Sequence, residues 1–140
     1  MNGGNPHDAY RQVQIKTANQ GRLILMLYDG AVRYIDVALE ALPHKQSRYD
    51  VVNAAVVKAQ DIIGELMASL DFDRGGELAR NLFTLYVFMN RQLLEANLRK
   101  TDKPLLDVRR MLLELRGAWA QVAGKAAAKD GAASRVDIAG

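Results

Sequence analysis

A chain of 140 residues that is 49% hydrophobic and 25% charged is long enough to bury a core, and that apolar share excludes disorder for the chain as a whole. It holds no cysteine, which excludes disulfides, thiolate metal sites and a cysteine nucleophile, and points to a cytoplasmic, reducing setting. Its formal charge of +3 is mild and spread among acidic residues, unlike the clustered basic face of a nucleic-acid protein. No apolar run reaches the roughly 18 residues of a membrane span, and the first residues lack the basic-then-apolar pattern of a signal peptide.

Residues 1–17 are polar and aperiodic apart from Tyr10, Val13 and Ile15, and read as an N-terminal arm. A first helix is predicted from about Ala18 or Asn19, with Asn19 as N-cap, to Leu42, where Pro43 stops it. Inside it stands Leu27-Tyr28-Asp29-Gly30-Ala31. Glycine within a helix costs roughly 1 kcal/mol relative to alanine, so Gly30 points to close approach by a neighbour. It falls beside Leu23, Leu27, Tyr34 and Ala41 on the predicted core side.

The second helix is predicted over Arg48 to Leu70, with Val52, Val56, Ala59, Ile63, Leu66 and Leu70 stepping by three and four. Asp71-Phe72-Asp73-Arg74-Gly75 reads as a turn. The third spans Gly76 to Leu98, with Leu78, Leu82, Leu85, Met89, Leu93 and Ala96 on its core face. Asp102 is placed to cap the fourth, which tolerates Pro104 in its first turn. That helix sets Leu105, Val108, Leu112, Leu115, Trp119 and Val122 on one face. Residues 124–140, rich in Ala, Gly and Lys, read as a flexible, mobile tail. With no strand alternation, the prediction is an all-α, antiparallel up-down four-helix bundle over residues 18–123.

Three helices carry more apolar surface than one core stripe requires. Phe83, Val87, Leu94 and Leu98 fall roughly 140–200° around the third helix from Leu78, with Asn90 and Asn97 at their edge. The second helix sets small residues opposite its core face, namely Ala54, Val57, Gly64 and Ala68, interrupted by Asp61. The fourth carries a lesser set, Leu106, Leu113, Gly117 and Ala120, flanked by Arg109, Arg110 and Arg116. Such patches mark interaction sites. The arm, a second copy of the chain or a foreign partner are all open as the cover, and a foreign partner would lay amphipathic segments into the grooves.

The residues for chemistry are missing. The two histidines, His7 and His44, follow no glutamate at helical spacing, so no metal site and no catalytic base is expected. Gly75-Gly76-Glu77 is followed by no Gly-Lys-Ser/Thr, and reads as a turn feeding a helix start. Arg99, Lys100, Lys103, Arg109 and Arg110 lack interleaved aromatics and read as a solvated rim rather than a nucleic-acid patch. The expectation is a protein that is not an enzyme and needs no cofactor.

Several blocks together resemble the flagellin-specific secretion chaperones of the FliS family. They are Tyr10, Thr17-Ala18, Leu23 and the pentapeptide at 27–31, then Lys58-Ala59-Gln60-Asp61-Ile62-Ile63 with Glu65-Leu66, and Ser69-Leu70-Asp71. Gly75-Gly76-Glu77-Leu78-Ala79, Asn81-Leu82, Leu85-Tyr86, Ala96-Asn97, Leu113-Glu114-Leu115-Arg116 and Ala118-Trp119 follow in order. Where the family commonly has Ser-Pro-Glu after Thr-Ala, this chain has Asn19-Gln20-Gly21.

The resemblance implies a cytoplasmic helical bundle that binds the C-terminal segment of flagellin. It would prevent premature polymerisation and pass its client to the flagellar type III export apparatus. In such complexes the client wraps the bundle, and the arm before the first helix covers part of the site in the free state. Export-gate subunits or regulators are further partners the resemblance allows. The expected anchors are Phe83, Val87, Leu94 and Leu98, with Val57, Leu106 and Leu113 lining adjacent grooves. Asn90 and Asn97 are placed to bond client backbone, and Tyr10 to plug the site. A structural homodimeric bundle and a basic RNA-binding regulator are the alternatives, and the oligomeric state is left open.

Overall fold

A computed structural model describes the backbone over residues 6–139 and the side chains over residues 20–124. Four helices follow in order: α1 (Pro6–Ala41), α2 (Tyr49–Ala68), α3 (Phe72–Arg99) and α4 (Lys103–Ala139). A 3-10 stretch, Leu42–Arg48, joins the first two. There is no strand among the described residues. The predicted all-α bundle is the observed architecture.

Each boundary has a local cause. Pro43 cannot donate to an α-helical ladder, and α1 gives way one residue before the 3-10 stretch that contains it. The α2–α3 turn is closed by Asp71, whose Oδ1 accepts from the backbone N–H of Asp73 and of Arg74, both at 3.1 Å. One turn later Gly76 breaks the helix at φ 51, a left-handed conformation that residues with a Cβ rarely adopt. At the start of α4 the Asp102 carbonyl accepts from Leu106 N–H at 3.0 Å, which leaves Pro104 in the first turn where no donor is missed.

The start of α1 differs from expectation. The helix begins at Pro6 rather than near Ala18, so Asn19 lies inside it rather than at its start. With no proline after Thr17-Ala18, nothing bars the ladder from continuing backwards, and Pro6 stands at the position where its missing N–H is harmless. Residue 124 is likewise no element boundary, since α4 continues to Ala139. The side chains of the expected arm, Tyr10 included, and of the expected tail lie outside the described residues.

The helices pack as a ring, each against its two neighbours in the order α1, α2, α3, α4 and back to α1. The core is built from Tyr28 and Ile35 of α1, Val52, Val56, Ile63 and Leu66 of α2, Tyr86, Met89 and Leu93 of α3, and Leu105, Val108 and Leu112 of α4. Each such side chain contributes roughly 1.5–3 kcal/mol on burial. Gly30 faces α2, where a Cβ would stand 3.2 Å from Ile62 Cδ1. The missing side chain there is what lets the first two helices approach.

Three predicted core residues are surface residues. Leu78 is 63% exposed, because the buried row of α3, Ala79, Leu82, Tyr86, Met89, Leu93 and Ala96, starts at Ala79, about 100° around the helix from it. Leu23 and Val122 are also exposed, although each lies well inside its helix.

Candidate functional site

The ring has seams, and two matter. At the α2–α3 seam, Gln60 Nε2 donates to the Asn90 carbonyl at 3.3 Å, and Lys100 Nζ donates to Asn53 Oδ1 at 2.6 Å. These contacts put the row Asn53, Val57, Gln60, Gly64 of α2 alongside the row Asn97, Leu94, Asn90, Val87 of α3, running in opposite directions. Val57, Phe83, Leu94 and Leu98 are large apolar side chains left exposed, Leu98 the most so at 72%. Val87, Asn90 and Asn97 are half-buried among them. The predicted α3 stripe and the predicted small-residue face of α2 therefore form one surface, with Asn53, Ala54, Val57 and Asp61 lining a shallow depression on it.

The amides of this surface are not equivalent. Asn97 Oδ1 accepts from Lys100 Nζ at 2.8 Å. Asn90 Oδ1 is buried with no hydrogen-bond partner, although the carbonyl of the same residue is bonded to Gln60. A buried acceptor left unpaired is costly, on the order of 1–3 kcal/mol. Phe72, which was not expected at the site, packs edge-on against Phe83 with ring centroids 5.9 Å apart and extends the apolar surface towards the α2–α3 turn.

Leu106 and Leu113 are exposed as expected, but they do not adjoin this groove. They share a face of α4 with Arg109 and Arg116, in the spacing 106, 109, 113, 116. Arg109 Nε bonds Asp36 of α1 at 2.6 Å, and Arg116 bonds Asp29 through Nε at 2.5 Å and Nη2 at 3.2 Å. That face therefore belongs to the α1–α4 seam, across the ring from the α2–α3 seam. The sequence carried a signal for this: an Asp pair seven apart on one helix matches an Arg pair seven apart on another, and the structure pairs them antiparallel. Each bond holds its guanidinium further toward the charged form, the hydrogen bond to the carboxylate contributing most.

A third feature lies at the open end of the bundle, beside the α2–α3 turn. An apolar cavity of about 340 Å³ opens there between Ile24, Leu70, Leu78 and Leu82, with Tyr86 and Trp119 on its wall. Behind it Trp119 Nε1 donates to the Tyr28 hydroxyl at 3.0 Å, and that hydroxyl also bonds the Tyr86 hydroxyl. Burial pushes both phenols above the ordinary range, so this polar cluster stays neutral.

Among the described residues no group of His, Asp and Glu is arranged to hold a metal, and no helix is long and apolar enough to cross a membrane. The five basic residues of the predicted rim each have a partner within the chain. Arg99 pairs with Glu95, Lys103 with Asp107, Arg110 with Glu114 and Arg109 with Asp36, while Lys100 is held by two asparagines.

Comparison with known proteins agrees with the resemblance of the sequence blocks. A family model described as flagellar protein FliS matches residues 3–126. The flagellar secretion chaperone FliS of Bacillus subtilis is 35% identical over 117 residues, covering 84% of this chain and 85% of that protein. Its counterpart in Salmonella typhimurium is 39% identical over 125 residues, covering 84% and 90%. The flagellar secretion chaperone FliSB of Pseudomonas aeruginosa is 38% identical over 114 residues, covering 79% and 89%.

Proposed function

The chain belongs to the FliS family of flagellar secretion chaperones, which are not enzymes, and on that premise we propose that it binds the C-terminal segment of flagellin. Binding in the cytoplasm covers the apolar face through which flagellin subunits assemble. It prevents premature polymerisation and holds the client for the flagellar type III export apparatus. The observation that carries this is the α2–α3 surface, where Val57, Phe83, Leu94 and Leu98 stand exposed in one apolar tract. A tract of this kind stabilises a bound amphipathic segment by removing apolar area from water on both partners.

A segment that folds as it binds loses conformational freedom, which opposes association by several kcal/mol, so it must bury a large area. The second apolar face at Leu106 and Leu113, across the ring, supplies more area to a client long enough to pass around the bundle. Both seams then act on one extended client. Tyr10 remains in this proposal as the residue that occupies part of the surface before the client arrives.

The test is calorimetric titration of the chain with a synthetic flagellin C-terminal peptide, with a parallel assay of flagellin polymerisation. Saturable binding and suppressed polymerisation are expected. A chain that bound no peptide and left polymerisation unchanged would overturn the proposal.

A further inference from the structure

One end of the α2–α3 groove is organised around a single ammonium. Lys100 caps α3 in the left-handed conformation, at φ 53. Its Nζ donates to Asn53 Oδ1 at 2.6 Å, to the Asn97 carbonyl at 2.6 Å and to Asn97 Oδ1 at 2.8 Å. It also lies 5.5 Å from the centre of the Tyr49 ring. Three N–H groups meet three oxygens, so the ammonium is saturated and has nothing left to offer a partner.

What it leaves to others is the useful part. An ammonium has donors only, so each asparagine must turn its oxygen to Lys100 whichever way the amide could otherwise rotate. Both amide NH₂ groups are therefore turned away from it, and neither has a protein acceptor among the described residues. An amide whose oxygen is held by a cation is also a stronger donor at its nitrogen. The groove thus ends in two oriented donors, one on each wall, with Leu94, Leu98 and Val57 exposed close by.

We propose that Asn53 and Asn97, oriented by Lys100, receive the unpaired carbonyl groups at the C-terminal end of a partner helix lying in the α2–α3 groove. The bound helix then runs with its C-terminal end at Lys100 and its N-terminal end towards Phe83. The last turn of any helix leaves about four carbonyls without a partner and carries the negative end of the dipole. A helix entering in the opposite sense would bring N–H groups against N–H groups. A free terminal carboxylate is a poorer occupant, because the depression that holds Asn53 and Val57 is lined by two carboxylates, Asp50 and Asp61, against one ammonium, Lys58. The 17 residues from Phe83 to Lys100 span roughly 25 Å, room for a helix of similar length.

This rests on the groove being the client site and adds a direction to it, which a nitroxide experiment reads. A flagellin C-terminal peptide is labelled at the C-terminal or the N-terminal end of its groove-bound helix, and line broadening is recorded on the full chain. The C-terminal label is expected to broaden the amides of Asn53 and Asn97, and the N-terminal label those near Phe83. In a second arm, Asn53→Asp with Asn97→Asp keeps an oxygen for Lys100 but removes both donors. That variant is expected to melt no lower than the parent chain and to bind the peptide roughly tenfold to a hundredfold more weakly. Broadening in the reverse pattern, or a folded double variant with parental affinity, would overturn the direction while leaving the client site standing. A parent chain that binds no peptide would overturn both. The label arm uses the unmodified chain, so it decides the matter even if the double variant does not fold.

Discussion

Trp119 on α4 and Tyr28 on α1 are joined by a hydrogen bond of 3.0 Å from the indole Nε1 to the phenol oxygen, 91 positions apart in the chain. The same oxygen meets the Tyr86 hydroxyl of α3, so three of the four helices are tied at one atom. Tyr28 is the hub of this cluster and Tyr86 a branch. Tyr28→Phe removes the 3.0 Å acceptor of the indole N–H and the closest partner of the Tyr86 hydroxyl, and is expected to lower stability by about 1–3 kcal/mol. Tyr86→Phe leaves the Trp119–Tyr28 bond intact and should lower it by about 1 kcal/mol. Urea denaturation followed by the fluorescence of the single tryptophan measures both. Equal losses would contradict the hub arrangement.

The same cluster sets an alkaline limit. Burial, first, and the contact with Tyr86 raise the Tyr28 phenol above its ordinary value of 10.0, and burial raises Tyr86 as well. A raised phenol keeps its proton in the folded chain at pH values where the unfolded chain has lost it. Stability from this source is therefore complete below pH ~10 and falls as pH climbs towards the folded-state values. Urea midpoints recorded at intervals above pH 9 should decline from about pH 10 onward, and decline less in Tyr28→Phe. A flat profile in the parent chain would contradict the assignment.

Gly76 and Gly64 should respond to alanine in opposite ways. Gly76 sits at φ 51, where a Cβ is strained by roughly 1–2 kcal/mol, so Gly76→Ala is expected to destabilise by about that amount. Gly64 is helical and faces open space, so Gly64→Ala should stabilise by up to about 1 kcal/mol through helix propensity. Thermal melts of the two variants give the comparison directly.

Those glycines also mark how much could be read before the structure. Periodicity placed α2 to within two residues and identified the α3 stripe, because both depend only on local spacing. Gly30 was legible as a packing glycine, and Ile62 is the neighbour it admits. Leu78 was misplaced because the buried row of α3 starts at Ala79, about 100° around the helix, and a leucine outweighs an alanine in any hydrophobic count. Leu106 and Leu113 were legible as an exposed apolar face of their helix, but not which helix that face adjoins, since periodicity says nothing of the order of helices around a ring. The Asp29–Arg116 and Asp36–Arg109 pairs carried that order, as two matching seven-residue spacings. Asn53 was invisible because its role depends on Lys100, 47 residues away.

Val87→Glu with Leu94→Glu tests the groove itself. Leu94 is exposed and Val87 only half-buried, so two carboxylates should leave the helical circular dichroism and the melting temperature nearly unchanged. Placed within the apolar tract, they would be desolvated on binding with no cation to pair them, and should weaken the flagellin peptide by at least about a hundredfold. Parental affinity in a folded variant would remove the α2–α3 surface from the proposal.

Leu106→Glu with Leu113→Glu addresses the opposite seam, and the outcome depends on the length of the client. Both leucines lie across the ring from the groove, on the face fixed against α1 by the Arg109 and Arg116 pairs. A peptide long enough only to fill the α2–α3 groove never reaches them and should bind the variant as it binds the parent chain. A longer C-terminal segment that wraps the bundle engages both faces, and its second contact is made at the high effective concentration set by the first. Losing that contact should weaken the long segment by roughly tenfold to a hundredfold while leaving the short one unchanged. Titrations of both peptides against both proteins form a complete square. Equal loss for the two peptides would mean that the substitutions act through the fold, and no loss for either would confine the client to the α2–α3 side.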